Sequence, residues 1–142
     1  MEILTVILLL FTSPTEKKAP LKMAFPVYQT GTASWYGKEQ HNHLTATGKR
    51  FNMYAMTAAH RKLPFGTLIK VTDIKTSKSV EVVVNDRGPY AGNRIVDLSM
   101  AAAIKLGIKD RGLAKVTIQI LWQPEKKQKY DKRPSKRHSS HK

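Results

Sequence analysis

The sequence predicts a small, mainly β fold, because short strand signals recur along it, glycine turns separate them and helical stretches are few. Residues 67–74 and 79–85 are rich in β-branched side chains, and the polar stretch 75–78 between them predicts a hairpin turn. A chain of 142 residues accommodates one such domain with additional terminal segments. Together these observations indicate a small β-barrel.

The strand assignments depend on a two-residue apolar period, which is typical of a sheet with one buried face. The stretch 94–98 predicts a further short strand, and 113–121 predicts a longer one. In 79–85 and in 113–121 the apolar residues fall on every second position, so each run presents one apolar face. Those residues are Val80, Val82 and Val84 in the first run and Val116, Ile118 and Ile120 in the second.

One short helix is predicted over residues 100–106. Ser99 is a suitable N-cap, and Gly107 can adopt the left-handed conformation that ends a helix. A second, shorter helical turn is predicted at 57–60, where it would end before Pro64. The fold class is therefore a small barrel with one or two short helices.

The composition is strongly basic and lacks cysteine. The formal net charge is +15, of which residues 31–123 contribute +8 and residues 124–142 contribute +6. Such a charge attracts polyanions, but it does not choose among nucleic acid, anionic lipid and acidic wall polymers. The absence of cysteine excludes disulfides and thiolate metal sites, and it predicts that no lipid anchor is attached through an N-terminal cysteine.

The terminal segments differ in composition from the centre. Residues 3–11 are almost wholly apolar, but a run of nine is too short to span a bilayer, which takes about 20 residues. The run suits the apolar part of a secretory signal, with a buried strand as the alternative. We therefore expect export to the periplasm or cell envelope. The expected organisation is a signal segment at 1–14, a linker at 15–29, the barrel at 30–122 and a basic tail at 123–142, both end segments being flexible.

Five short motifs occur in a fixed order within residues 31–121. They are Gly31-Thr32-Ala33-Ser34-Trp35-Tyr36-Gly37, Thr45-Ala46-Thr47-Gly48, Thr57-Ala58-Ala59-His60 with Leu63-Pro64, Val84-Asn85-Asp86-Arg87-Gly88-Pro89-Tyr90, and Arg94-Ile95-Val96-Asp97-Leu98-Ser99. This ordered set resembles the rare lipoprotein A family of septal lytic transglycosylases. The resemblance implies a six-stranded double-psi β-barrel, a periplasmic or wall-associated location, and endolytic cleavage of peptidoglycan glycan strands that lack stem peptides. It does not extend to a C-terminal peptidoglycan-binding repeat domain.

The implied reaction requires a carboxyl group that transfers a proton. In a lytic transglycosylase the sugar's own 6-hydroxyl attacks the anomeric carbon, so that one carboxyl group can serve first as acid and then as base. The resemblance makes Asp86 the candidate acid; its local alternative is a loop cap. Asp97 is equally consistent with a site residue and with a helix cap beside Ser99. His60 matches a family site residue that could orient a carboxyl group, although a lone histidine is more often structural.

Aromatic and polar residues of the same motifs are candidates for sugar binding. Trp35, Tyr36 and Tyr90 could stack on sugar rings, or they could fill the core. Consecutive residues of a strand face opposite ways, so at most one of Trp35 and Tyr36 lies in the groove. The remaining predicted substrate contacts are Thr45, Lys49 and Arg87, where Arg87 could instead pair with a carboxylate.

Lys49 departs from the family pattern, which has a glutamate of the site after Thr-Ala-x-Gly. The change replaces a potential acid by a cation, and a nearby ammonium favours the ionised form of a carboxyl group. This works against an acid role for Asp86. The hypothesis that follows is a slower or inactive enzyme that binds glycan without cutting it.

Metal binding, nucleic-acid binding and glycan binding without cleavage are the other functions that the sequence suggests. His41-Asn42-His43 is better explained as a solvated loop than as a metal site, so we expect no metal and no cofactor. Nucleic-acid binding would suit the basic tail, but no recognition helix or aromatic-basic signature accompanies it. The alternatives retained are a lytic transglycosylase and an expansin-like module that binds wall glycan without cleavage. We expect a monomer whose tail holds it near anionic wall polymer or lipid.

Overall fold

The computed structural model describes residues 24–126. The apolar run at 3–11 and the tail beyond residue 126 lie outside the described residues. Six strands and one helix form the fold. They are β1 (Val27–Tyr36), β2 (Thr57–His60), β3 (Leu68–Asp73), β4 (Ser79–Asp86), β5 (Arg94–Ser99), α1 (Met100–Leu106) and β6 (Ala114–Trp122).

The six strands close into one barrel in the order β1-β5-β2-β4-β3-β6. The pairs β1 with β5 and β2 with β4 are parallel, whereas the other four neighbouring pairs are antiparallel. Closure leaves no strand edge unpaired, so the backbone polar groups of the strands are satisfied within the barrel. The prediction of a mainly β, six-stranded barrel is confirmed.

The barrel interior is filled by the alternating apolar residues of the strands. On β4, Val80, Val82 and Val84 are buried, while Glu81 and Val83 point outward and are exposed. The same alternation holds on β6, where Val116 and Ile118 are fully buried. Each such side chain contributes about 1.5–3 kcal/mol by leaving water. The predicted apolar faces of these two strands are therefore the walls of the core.

The helix forms where the capping residues predict it. The Ser99 hydroxyl accepts a hydrogen bond from the Ala102 amide at 3.2 Å, and the Ser99 O–H donates to the Ala55 carbonyl at 2.6 Å. Gly107 ends the helix with φ 83°, a left-handed conformation that is accessible to glycine at little cost. Helix α1 lies against the barrel through Ala102, Ala103 and Leu106.

Residues 57–60 form a strand, so the predicted helical turn there is wrong. Ala58 pairs with Val84 in parallel and with Leu98 in the antiparallel direction, which places β2 between two partners in the barrel. The sequence Thr-Ala-Ala-His has no strong strand propensity. Pairing with distant strands therefore overrides the local preference.

The barrel begins earlier than the composition indicates. Strand β1 starts at Val27, within the segment expected to be a linker, because Val27 pairs with Gln119 and Gln29 pairs with Ile118 of β6. No helix of residues 24–126 is long and apolar enough to cross a membrane.

Candidate active site

Asp86 and Asp97 line the same groove on the barrel surface. Strand β2 lies between the strands that carry them, and Ala59 is the register partner of both aspartates. Because neighbouring strands are about 4.8 Å apart, two spacings hold the backbones of the aspartates roughly 10 Å apart. The groove has a volume of about 340 Å³. Its lining consists of Tyr36, Gln40, His43, Leu44, Phe51, Ala59, Asp86, Arg87 and Asp97.

The Asp86 carboxylate is fixed by backbone amides. Its Oδ1 accepts hydrogen bonds from the N–H of Ala46 at 2.9 Å and from the N–H of Arg87 at 2.8 Å. Both bonds end on the same oxygen, so Oδ2 makes no hydrogen bond to another residue of the described segment. Asp86 also has no cationic partner among residues 24–126. The end of β4 thus presents an oriented carboxyl group with one oxygen directed away from the backbone.

Thr45 shapes the loop that holds Asp86 and does not line the groove. Its side chain is buried, and its hydroxyl contacts the hydroxyl of Thr47 at 2.6 Å and the Lys49 carbonyl at 3.0 Å. Its amide donates to the same carbonyl at 2.8 Å. These bonds tighten the turn that aims the Ala46 amide at Asp86. Thr45 therefore acts on the site through the loop.

Asp97 occupies a different electrostatic setting from Asp86. Its Oδ1 accepts hydrogen bonds from the Ser34 hydroxyl and from Nη1 of Arg94, the latter at 3.1 Å. Arg94 Nη1 also lies 2.5 Å from the Ser34 hydroxyl oxygen. Ser34 is brought there by the parallel pairing of β1 with β5, in which it faces Asp97 directly. The groove thus contains one ion-paired carboxylate and one carboxyl group without an ionic partner.

Tyr36 lines the groove together with Phe51. Its ring lies 4.5 Å from the ring of Phe51, and its hydroxyl is buried without a hydrogen-bond partner among the described residues. Burial, with the charges of Asp86 and Asp97, raises the pKa of Tyr36 far above its ordinary value. The hydroxyl therefore stays protonated and can donate a hydrogen bond to a ligand.

Trp35 faces away from the groove, as the alternation of β1 requires. Its Nε1–H donates to the Lys109 carbonyl at 3.1 Å, and its ring packs against the core. Tyr90 is 77% exposed and is not part of the groove lining. Of the three predicted stacking residues, the structure brings only Tyr36 to the aspartates.

His60 lies outside the groove, because it follows Ala59 on β2 and points to the opposite face. Its Nδ1 accepts hydrogen bonds from the amides of Lys62 and Leu63, both at 3.1 Å, and its Nε2 lies 2.9 Å from Oε1 of Gln29. Burial, followed by the charges of Arg87, Arg61 and Lys62, lowers the pKa of His60 to about 4. A neutral imidazole with both nitrogens bonded holds the turn after β2.

Arg87 borders the groove, but its charge is directed elsewhere. Its Nη1 donates to the carbonyls of His60 at 3.3 Å and Leu63 at 2.9 Å, and its guanidinium lies 3.9 Å above the ring of Phe65. These contacts join the Asp86 loop to the turn after His60. Arg87 thus pairs with neither aspartate.

Lys49 is not part of the groove lining, which corrects the assumption that its ammonium stands beside Asp86. Its exposed side chain lines a separate depression together with Thr47, Arg50 and Asn85. The register within a tight loop, Thr45 to Gly48, decides which way the following residue points, and sequence motifs do not report it.

Several groove residues were not predicted from the sequence. Gln40, Leu44 and Phe51 lie outside the five motifs, and His43 was predicted to be part of a solvated loop. All four lie in the loop between β1 and β2, where His41 contributes differently by accepting the Met53 amide on Nδ1 at 3.2 Å. The sequence signal for these residues is their position in a long loop, because long loops beside a rigid scaffold often carry function.

Residues 24–126 contain no group of three or more His, Cys, Asp or Glu side chains arranged to hold a metal ion.

Comparison with known proteins agrees with this geometry. The family model described as lytic transglycolase matches residues 28–118, which is more than half of the chain. The chain belongs to the lytic transglycolase family. The matched region carries both aspartates and the whole groove. The prediction of a rare lipoprotein A double-psi barrel is thereby confirmed.

Two relatives carry the same functional name. The endolytic peptidoglycan transglycosylase RlpA of Vibrio cholerae is 50% identical over 93 residues, which cover 66% of this chain and 35% of that protein. The protein of the same name from Neisseria meningitidis serogroup A is 54% identical over 91 residues, covering 64% and 38%. The chain therefore spans about a third of the length of these relatives.

A solved structure shows the same architecture at low identity. The apo expansin of Clavibacter michiganensis superposes with a TM-score of 0.52 at 23% identity, covering 68% of this chain and 52% of the expansin chain. This likeness establishes a shared barrel fold.

Proposed function

We propose that this lytic transglycolase-family protein is an endolytic peptidoglycan lytic transglycosylase. It would cleave MurNAc-GlcNAc glycan strands that lack stem peptides, leave 1,6-anhydro ends, and act in cell wall remodelling. The observation that carries the proposal is the pair of aspartates that face one groove across Ala59. The names of the relatives support the substrate class, and the family model matches over the residues that build this groove.

Asp86 is assigned the proton transfers. It donates a proton to the glycosidic oxygen while the bond from that oxygen to the anomeric carbon breaks. The 6-hydroxyl of the same sugar then forms a bond to that carbon, and Asp86 accepts the proton that the hydroxyl loses. The two amide bonds to Oδ1 orient the group, so both transfers use one fixed geometry.

Asp97 is assigned a charge-stabilising role. Glycoside cleavage develops positive charge at the anomeric carbon and ring oxygen, and a carboxylate across the groove lowers the energy of that state. The contacts from Arg94 and Ser34 hold the carboxylate in place. The unpartnered hydroxyl of Tyr36 is a donor for a sugar oxygen bound between the two aspartates.

His60 and Thr45 are assigned positioning roles, and neither touches the groove. The neutral ring of His60 organises the turn whose carbonyls hold Arg87, the residue directly after Asp86. Thr45 holds the loop that supplies the Ala46 amide. Substitution of either residue is expected to slow the reaction by moving Asp86.

The alternative is an expansin-like module that binds wall glycan without cleaving it. It is favoured by Lys49, which stands where the family places a glutamate of the site. The groove lining contains two carboxyl groups, those of Asp86 and Asp97, and no third acid. A protein of this kind would bind peptide-free strands and release no fragments.

The test is incubation of the full chain with peptide-free glycan strands, followed by mass detection of the fragments. A transglycosylase gives ends that are one water lighter than those of a hydrolase. We expect such ends from the wild type and from Asp110→Asn, which changes an exposed acid outside the groove. Hydrolytic ends would contradict the intramolecular mechanism, and binding without fragments would favour the expansin-like module.

The basic tail and the location in the cell envelope are part of the same proposal. Residues 124–142 carry a net charge of +6, which suits attraction to anionic wall polymer or lipid. Binding of envelope material should weaken as salt rises. A chain truncated at Gln123 should lose that salt-sensitive part; equal binding by both chains at every salt concentration would contradict the role of the tail.

A further inference from the structure

A second depression lies beside the groove and is lined in part by the loop at residues 45–50. It has a volume of about 360 Å³, and its lining includes Lys49, Arg50, Thr57 and Asn85. We call it the Lys49 pocket. Asn85 and Asp86 are consecutive residues of β4, and Asn85 lines the Lys49 pocket whereas Asp86 lines the groove. The pocket and the groove are thus immediate neighbours.

Two polar atoms of the Lys49 pocket are buried without a partner. The hydroxyl oxygen of Thr57 and Oδ1 of Asn85 make no hydrogen bond to any residue of 24–126. The large majority of buried polar side-chain atoms in native structures form hydrogen bonds. Two buried atoms without a partner in one pocket therefore indicate a place for a ligand group or a water molecule. A hydroxyl group and an amide oxygen together can donate to and accept from the hydroxyl groups of a sugar.

The Lys49 pocket is also cationic. Lys49 and Arg50 both line it, none of its lining residues is acidic, and neither cation forms an ion pair within the described part of the chain. Nη1 of Arg50 donates to the Asn42 carbonyl at 2.8 Å, which fixes the guanidinium and leaves its other N–H groups without a hydrogen-bond partner in residues 24–126. The pocket therefore combines sugar-binding polar atoms with an uncompensated positive charge.

We propose that the Lys49 pocket binds a saccharide unit that carries a carboxylate. The ammonium of Lys49 contacts the carboxylate, with support from Arg50, while Thr57 and Asn85 contact hydroxyl groups. This inference rests on the proposed function and names the feature of the strand that is recognised. The carboxylate of a peptidoglycan strand is the lactyl group of muramic acid, which is a free anion only where the stem peptide is absent.

The test compares binding of two oligosaccharides of equal length to the full chain. One is a peptide-free MurNAc-GlcNAc oligomer, and the other is a chitin oligomer, which has no carboxylate. Binding is measured in the Asp86→Asn background, so that cleavage does not enter the result. We expect the acidic oligomer to bind about five- to tenfold more tightly at low salt, because charge-assisted contacts at a partly exposed site have this size.

Lys49→Gln should abolish that preference and leave the affinity for chitin unchanged. The matched control is Lys75→Gln, which removes one charge from the exposed turn between β3 and β4, outside the pocket. Thermal melting of both variants shows whether they fold. The proposal is overturned if Lys49→Gln keeps the preference, or if Lys75→Gln loses it equally. Absence of anhydro fragments from the wild type would count against the proposed reaction, whereas the binding ratio tests the pocket independently.

Discussion

The buried imidazole of His60 predicts that the protein loses stability in mild acid. In the folded chain, burial and the charges of Arg87, Arg61 and Lys62 lower the pKa of His60 to about 4, and its Nδ1 is occupied by two backbone amides. In the unfolded chain the imidazole has its ordinary pKa of about 6.5. Between these two values the unfolded state binds a proton that the folded state excludes, so acid favours unfolding.

The size of the effect follows from the two pKa values of His60. The contribution is fully present above pH 6.5, and it falls by about 1.4 kcal/mol for each pH unit below that value. The free energy of unfolding should therefore drop by about 2 kcal/mol between pH 7.5 and pH 5, and by about 3 kcal/mol in total as the pH passes through 4. Typical stabilities are about 5–15 kcal/mol, so this loss is readily measured.

The assay is urea unfolding at pH 7.5 and at pH 5, for the wild type and two variants. His60→Gln should be less stable at pH 7.5, because it loses the acceptor of the turn, and it should lose most of the pH dependence. His43→Gln is the matched control, since it removes an exposed histidine. If His60→Gln shows the same decrease between the two pH values as the wild type, another group carries the pH dependence and His60 does not.

Three further predictions concern other buried polar groups. Arg111→Met should lower the free energy of unfolding by about 3 kcal/mol in urea, because it leaves the fully buried carboxylate of Asp73 without its cation. Burial raises the pKa of Asp73, but hydrogen bonds from Arg111, Thr76 and the Lys75 amide outweigh it and hold that pKa below its ordinary value. Stability should therefore fall as the pH drops below about 4, and Asp73→Asn should remove that loss. Tyr36→Phe should raise the melting temperature slightly, because it removes a buried unpaired hydroxyl, while it slows fragment release; unchanged release would contradict the donor role.

The strands with a regular local pattern were predictable from the sequence. The alternation of valines at positions 80, 82 and 84 predicts the buried face of β4. The N-cap Ser99 and the C-terminal Gly107 predict the two ends of α1. Strand β2 was not predictable, because its residues have weak strand propensity and its existence depends on pairing with β4 and β5. The start of β1 was not predictable for the same reason, because its first residues form a strand by pairing with β6.

The site was predictable in its residues but not in its geometry. The resemblance supplied Asp86 and Asp97, yet only the shared register partner Ala59 explains why they face one groove. The same register turns His60 to the opposite face, and the tight loop after Thr45 turns Lys49 into a separate pocket. Facing direction is set by long-range pairing and loop conformation, which a single sequence does not report.

The central claim is that Asp86 transfers the proton in glycan cleavage. The most direct measurement is the rate at which 1,6-anhydro ends appear from peptide-free strands, compared between the wild type and Asp86→Asn, with strand affinity measured on the same samples. Loss of a general acid typically costs at least about 100-fold in rate, and the amide can still accept the Ala46 and Arg87 N–H bonds. We predict such a loss of rate with little change in affinity. Equal rates for the two proteins would contradict the assignment of Asp86.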